Sequence, residues 1–254
     1  MEYYTNVRVV GNQVYLRYID EDGAPKRKKV KYAPTAFVAS KEETKHKTLG
    51  GKNVKPVQKN SIKEMRNFYD QYRGLDNYTI YGNENFGFSF VGDTYPEEIE
   101  YDIKDIVVAN IDIEVASDDG FPYPETAASP VISIAIKFNE DDFYVFGFNE
   151  PDGCEIEDTL SRQHIKYVSC KDEADLLGSF LACWSQHCPD IVTGWNVSGF
   201  DIPYLYNRIT KILGEKKVSE LSPWKFVRTR TFKSSYGKEQ MAVDIIGVAT
   251  LDYL

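Results

Sequence analysis

The stretch Ile106-Val107-Val108-Ala109-Asn110-Ile111-Asp112-Ile113-Glu114-Val115-Ala116-Ser117 decides how this chain reads. Asp112 and Glu114 stand two apart in an otherwise apolar, β-branched run, a composition that favours a strand over a helix. Side chains alternate faces along a strand, so the two carboxylates share one face and Ile111, Ile113 and Val115 share the other. Neighbouring carboxylates repel unless a cation lies between them, and hard divalent cations take carboxylate oxygens. A lone Asp-x-Glu is more often a solvated face on an edge strand, so a catalytic reading needs a second motif.

That motif is Gly194-Trp195-Asn196-Val197-Ser198-Gly199-Phe200-Asp201-Ile202-Pro203-Tyr204. Asp201 falls where a helix begins, a position at which the positive end of the helix dipole favours a carboxylate. Asn196 suits the preceding turn. Each residue alone has this ordinary structural explanation. The strand-borne Asp-x-Glu followed downstream by Asn-x-x-x-Phe-Asp is a much less common combination.

Working outward, residues 3–10, 13–19 and 27–38 read as three antiparallel strands, with Gly11-Asn12 and Asp20 to Gly23 as turns and Pro34 interrupting the third. Residues 40–60 read as a loop. Ser61-Ile62-Lys63-Glu64 is a capping-box pattern that opens a helix ending near Gly74. Short strands are expected near Tyr78–Tyr81 and Phe86–Val91. Beyond Asp105 the strands lengthen: 106–115, 131–138 with 143–148 as its hairpin partner, 165–169 and 191–193. Leu176, Leu177, Phe180, Leu181 and Trp184 recur at helical steps between Asp172 and His187, and a second helix is expected from Phe200 to Leu213. Strands 225–233 and 239–248, joined through Ser234 to Gly237, follow. The expected class is α/β with α+β character: a mixed sheet flanked by helices over 105–254, preceded by a smaller β-rich domain over 1–104.

The formal net charge is −9, unevenly spread. Residues 1–100 carry 16 Lys and Arg against 14 Asp and Glu, and the remaining residues carry 14 against 25. A protein held to nucleic acid by charge alone would be basic throughout, which this chain is not. Local contacts are left to Lys26, Arg27, Lys28, Lys29 and Lys31 and to the lysines from Lys41 to Lys63, for which a solvated strand or loop is an equal explanation. The four cysteines form no C-x-x-C pair, so idle thiols are expected and a zinc site is not. No apolar run reaches membrane-span length, and Met1 to Thr5 does not open a secretory signal.

The two motifs resemble the first and second exonuclease motifs of the 3′→5′ proofreading exonuclease of family B DNA polymerases. The fuller runs Val107 to Val115 with Asp119-Gly120-Phe121-Pro122, and Thr193 through Arg208, are similar to the replicative polymerases of T-even-type bacteriophages. The resemblance covers essentially the whole chain. It implies an RNase H-like (DnaQ-like) exonuclease domain and two-metal hydrolysis with Mg²⁺ or Mn²⁺. Asp112, Glu114 and Asp201 are then the catalytic metal ligands, and Asn196 supports the site. Phe121 and Phe200 hold the terminal nucleotide, and Tyr236 and Lys238 lie on a hairpin that parts primer from template. The implied partners are a single-stranded DNA 3′ end, template DNA and the remaining polymerase segment, on the same or a separate chain, in the cytoplasm of an infected bacterial host. The family's third motif, a Tyr followed by an Asp three or four residues on, is not found before Leu254, and Asp252 belongs to a different stretch. Neither are the polymerase motifs found. The chain is therefore expected to lack polymerase activity and to have weak or no nuclease activity alone. Two alternatives stay open: a non-catalytic nucleic-acid-binding module, for the template strand or for repression of its own mRNA, and the scaffold half of a split polymerase.

Overall fold

A computed structural model of the chain describes residues 2–117, 120–139, 142–149, 157–158, 163–233 and 239–253. The chain divides into two compact units, Met1–Tyr101 and Asp102–Leu254. No helix among the described residues is long and apolar enough to cross a membrane.

In the first unit, β1 (Tyr3–Val10), β2 (Gln13–Ile19) and β3 (Pro25–Lys31) form the expected antiparallel meander. The expected strand 27–38 is two strands, because β3 ends at Lys31 and β4 (Thr35–Ala39) enters a different sheet. Proline has no N–H to give a ladder, and the break falls around Pro34. Part of the expected loop 40–60 is β5 (Val54–Gln58), which pairs antiparallel with β4 and buries Val54. Its Lys-Pro content conceals it, since pairing across β4 rather than propensity makes it a strand.

Helix α1 (Ile62–Tyr72) starts where the capping pattern placed it, with the Ser61 hydroxyl accepting the Glu64 N–H at 3.2 Å. The Glu64 carboxylate reaches one residue further back than in a standard box and accepts from Asn60 N–H at 3.3 Å. A short strand β6 (Ile80–Tyr81) completes the second sheet. The strand expected at Phe86–Val91 is instead helix α2 (Phe86–Thr94). The sequence Phe-Gly-Phe-Ser-Phe fits both periods. The helix is started by the Asn85 side chain, which accepts the Gly87 N–H. It puts Phe86 and Phe90, four apart, into the core with Ile62, Met65 and Phe68 of α1, and leaves Phe88 exposed.

The second unit is built on β7 (Val108–Val115), β8 (Val131–Phe138), β9 (Asp142–Phe148), β10 (Glu157–Asp158), β11 (Gln163–Cys170), helix α3 (Glu173–His187), β12 (Ile191–Gly194), helix α4 (Asp201–Leu213), β13 (Val227–Lys233), β14 (Glu239–Ile245) and β15 (Ala249–Asp252). Seven strands make one mixed sheet in the order β10-β11-β9-β8-β7-β12-β15. β7, β12 and β15 run parallel, and β8 is antiparallel to both β7 and β9. The α/β class with helices against a mixed sheet is thus what the chain adopts. Leu176, Leu177, Phe180, Leu181 and Trp184 of α3 are all buried, as their spacing requires, against Ile111, Ile134, Ile136 and Phe146 of the sheet. The ribbon β13–β14 stands apart as a two-stranded pair. Its expected turn, Ser234 to Gly237, lies outside the described residues.

Candidate active site

β7 occupies a central position, flanked by β8 on one side and β12 on the other. Ala109, Ile111 and Ile113 are buried, and Asn110, Asp112 and Glu114 are exposed, so the two carboxylates share one face as the alternation demanded. Among the described residues neither carboxylate has an ion-pair partner. Parallel neighbours β12 and β15 end level with this row: Thr193 pairs with Asn110, and Gly194 with Asp252. Carboxyl ends of parallel strands are where open α/β sheets gather functional loops.

The turn from β12 into α4 delivers Asp201. Gly194 is required by a close approach, because a Cβ there would stand 2.5 Å from the Ile111 carbonyl oxygen. Asn196 takes the left-handed conformation at φ 52°, and its carbonyl accepts the Gly199 and Phe200 N–H groups at 3.0 and 2.9 Å. The Asn196 side chain lies over Gly199, where a Cβ would collide with its Oδ1. Val197, fully buried, anchors the turn to the core. Asn196 therefore shapes the turn that presents Asp201.

Asp201 is only 3% exposed, and its Oδ1 accepts the Ile113 N–H at 3.0 Å. The residue thus sits against β7 at the peptide that joins Asp112 to Ile113. Its carboxyl is pushed up to about 7, first by burial and then by the charge of Asp112. The amides of Ile113 and of Asp201 itself oppose the rise, and Asp252 adds to it. A buried carboxylate forced against another is costly unless protonated or given a cation. Among the described residues, however, no three acidic, imidazole or thiol side chains converge closely enough to hold a metal ion. The donor chemistry, all oxygen, fits a hard divalent cation, and the Asp112–Asp201 pair supplies the excess negative charge such an ion neutralises.

The structure adds a residue that the sequence left outside the site. Asp252, at the end of β15, accepts from the Ser198 N–H at 2.9 Å and the Ser198 hydroxyl at 2.5 Å, tying the Asn196–Phe200 turn to the sheet. No spacing rule could have found it, since it lies on β15, beyond the end of the expected strand 239–248. Its neighbour Tyr253 receives a 2.7 Å hydrogen bond from the Asn110 amide.

Beside the carboxylates lies an aromatic group. Phe121, 68% exposed, sits 6.1 Å from the ring of Phe200 and 5.5 Å from that of Tyr123, and Phe200 in turn lies 5.5 Å from Tyr204. Trp195 is also exposed, on the turn itself. Tyr236 and Lys238 lie outside the described residues.

The basic stretch Lys26, Arg27, Lys28, Lys29 and Lys31 forms the exposed strand β3 at the edge of its sheet. Lys28 pairs with Glu2 at 3.2 Å and Lys26 with Asp20 at 3.7 Å, and the ammonium groups of Lys28 and Lys29 lie over the rings of Tyr18 and Tyr15. Charged edge strands of this kind deter edge-to-edge pairing. Elsewhere in the first unit, Lys45, Lys47 and Lys52 surround an open pocket of about 720 Å³ together with Phe37, His46 and Tyr81.

The family model for the exonuclease domain of family B DNA polymerases matches residues 86–254. The chain is 36% identical to the DNA-directed DNA polymerase of Enterobacteria phage T4 and 35% identical to that of Escherichia phage RB69. Each match covers all of this chain and 30% of the relative, so the chain spans under a third of the length of these relatives. Among solved structures, the family B DNA polymerase of the archaeon Pyrobaculum calidifontis shares the fold at TM-score 0.61 and 18% identity, over 99% of this chain and 36% of that one.

Proposed function

The chain belongs to the family B DNA polymerases through their exonuclease domain, and on that footing we propose that it carries 3′→5′ hydrolysis of single-stranded DNA ends. The observation that bears the most weight is the Asp201 carboxyl held at the Ile113 amide and raised first by its burial and then by the charge of Asp112. Asp112, Glu114 and Asp201 would hold Mg²⁺ or Mn²⁺. When bound, these ions supply positive charge to the scissile phosphate and to its attacking and departing oxygens. Phe121 and Phe200 offer faces on which an unpaired terminal base stacks, which a duplex end cannot reach without fraying. Asn196 and Asp252 keep the turn closed so that Asp201 stays against β7.

Titration with Mn²⁺, followed by the loss of its free electron-paramagnetic signal, tests this reading without depending on turnover. Binding should weaken more than about tenfold in Asp112→Ala and in Asp201→Ala, since each removes a ligand. Affinity that is unchanged when residues 112, 114 and 201 are all alanine would overturn the proposal.

A second reading is favoured by the pocket in the first unit. Among the described residues Lys45, Lys47 and Lys52 have no carboxylate partner, and Phe37 and His46 bring their rings within 5.2 Å beside them. Three free cations next to stacking surfaces suit a nucleotide of a single strand, template DNA or RNA. Fluorescence anisotropy with labelled oligo-dT and oligo-U, in chelator, should show affinity falling with salt for one of them. Binding of neither strand, or binding indifferent to salt, would remove this reading.

A further inference from the structure

Helix α4 begins with Asp201 and then turns three polar side chains toward a single segment of chain. Tyr204, Asn207 and Arg208 lie at spacings that share one face. The Tyr204 hydroxyl donates to the Ser129 carbonyl at 2.7 Å, and the Asn207 amide donates to the Pro124 carbonyl at 2.8 Å. Arg208 Nη1 donates to the carbonyls of Ala127 and Ala128, both at 3.0 Å. The rest of that guanidinium forms a two-pronged pair with Glu173 of α3, both contacts at 2.6 Å. Glu173 Oε1 also accepts the Val131 N–H at 2.8 Å. Four carbonyls between Pro124 and Ser129 are therefore held from one helix face. Within this segment Ala127 is fully buried and takes a left-handed conformation at φ 40°, which an alanine adopts only when its surroundings impose it.

Phe121 and Tyr123 immediately precede the segment so held. The ring of Phe121 meets the ring of Phe200, the residue that immediately precedes α4. One rigid element thus has the carboxylate Asp201 at its start and the mounting of the aromatic wall along its side. We propose that Tyr204, Asn207 and Arg208 are positioning residues that fix the distance from the stacking wall to Asp201, and so set the site's preference for an unpaired terminal nucleotide. The inference rests on the nuclease reading above and deepens it. A base stacked on Phe121 places its phosphate at a set reach, and a loosened mount spreads that reach without touching the carboxylates. Asn207 is the informative member. It is half-buried, its bond to Pro124 is the one nearest Phe121 along the chain, its amide also contacts the Met241 sulfur at 3.9 Å, and it has no part in the buried Arg208–Glu173 pair.

The test uses single-stranded oligonucleotides ending in 2-aminopurine, whose fluorescence is quenched on stacking, titrated with the full chain in chelator. Asn207→Ala should weaken binding about fivefold, as loss of one interior hydrogen bond does. Tyr204→Phe, which removes only the hydroxyl, should act in the same direction. Mn²⁺ affinity should not change in either variant. Because the effect is transmitted through the wall, Asn207→Ala should add nothing in a Phe121→Ala background. Losses that add in the double variant, or Mn²⁺ affinity that falls with Asn207→Ala, would overturn the positioning role. If Asn207→Ala does not fold, Tyr204→Phe carries the same comparison. Were Phe121→Ala to leave stacking and affinity unaltered, the aromatic wall of the nuclease reading would fail. If Phe121→Ala weakens binding and neither α4 variant does, the positioning proposal alone would fail.

Discussion

β3 and β7 both line up charges on a strand, and the two do opposite things with them. On β3 the lysines stand at a sheet edge, pair with Glu2 and Asp20, and rest their ammonium groups over tyrosine rings. On β7 the acids stand in the middle of seven strands without a cationic partner among the described residues, and a third carboxyl is pressed in from α4. Charge at an edge is solvated and its neighbours can rearrange around it. Charge at the centre, next to a buried group of the same sign, is retained against a cost. The position in the sheet, more than the charge pattern, separates a solubility feature from a chemical one.

The contrast breaks if acids and lysines prove interchangeable in effect. In the chain completed by the remaining polymerase segment, replacing Asp112 and Glu114 by alanine should reduce Mn²⁺-dependent hydrolysis of a 3′-labelled single strand on the order of 10³-fold or more. Replacing Lys26, Lys28 and Lys29 of β3 by serine should leave it within about twofold, as surface changes away from a site do. Comparable losses from both sets would erase the distinction.

The next effect sharpens the claim that the central charge carries a cost. Asp201 has a folded-state value of about 7, above the ordinary carboxylate range. Between roughly pH 4 and pH 7 the unfolded chain has given up this proton while the folded chain keeps it, so stability contributed by the group falls as pH rises through that window. Asp201→Asn should therefore be more stable than the parent at pH 8 in chelator, by on the order of 2–4 kcal/mol. Near pH 4 the two should converge. Urea melts at the two pH values decide it, and a variant less stable than the parent at pH 8 would show that the carboxyl is comfortable where it sits.

The smallest effect belongs to β3. Breaking the exposed Lys28–Glu2 pair with Lys28→Ser should change stability by no more than about 0.5 kcal/mol and lose even that in salt. Removing all three lysines should instead promote self-association, because the edge is then free to pair. Sedimentation would register it, and a variant that stays monomeric would mean that some other feature guards the edge.

Much of the site could be read from the sequence because its signals are local. The alternation of β7 and the three- and four-residue steps of α3 are repeated within a few residues, so each needed only its own segment. The start of α1 was equally visible in Ser61 and Glu64. What stayed hidden depended on partners distant in the chain. β5 is a strand because β4 lies beside it, and α2 is a helix because Phe86 and Phe90 have α1 to pack against. Asp252 joins the site through Ser198, and Arg208 reaches Glu173 and the carbonyls of Ala127 and Ala128. Among the site residues, Asp112 and Glu114 are exposed on one face, as the alternation of the strand required, and Asp201 accepts from the Ile113 N–H. Their convergence into a cage for a metal ion is not drawn in the fold itself.

Gly194 has a consequence for how this domain tolerates change. The obstacle to any side chain there is a main-chain oxygen of β7, which cannot swing aside as a flexible group would. A library randomised at this codon and screened only for folded protein should still recover some survivors, in which the whole turn has been levered off the sheet. The same library, completed by the remaining polymerase segment and screened for nuclease output, should return glycine alone. The gap between the two harvests would measure how closely the turn must lie on the sheet for the chemistry, as opposed to the fold, to survive.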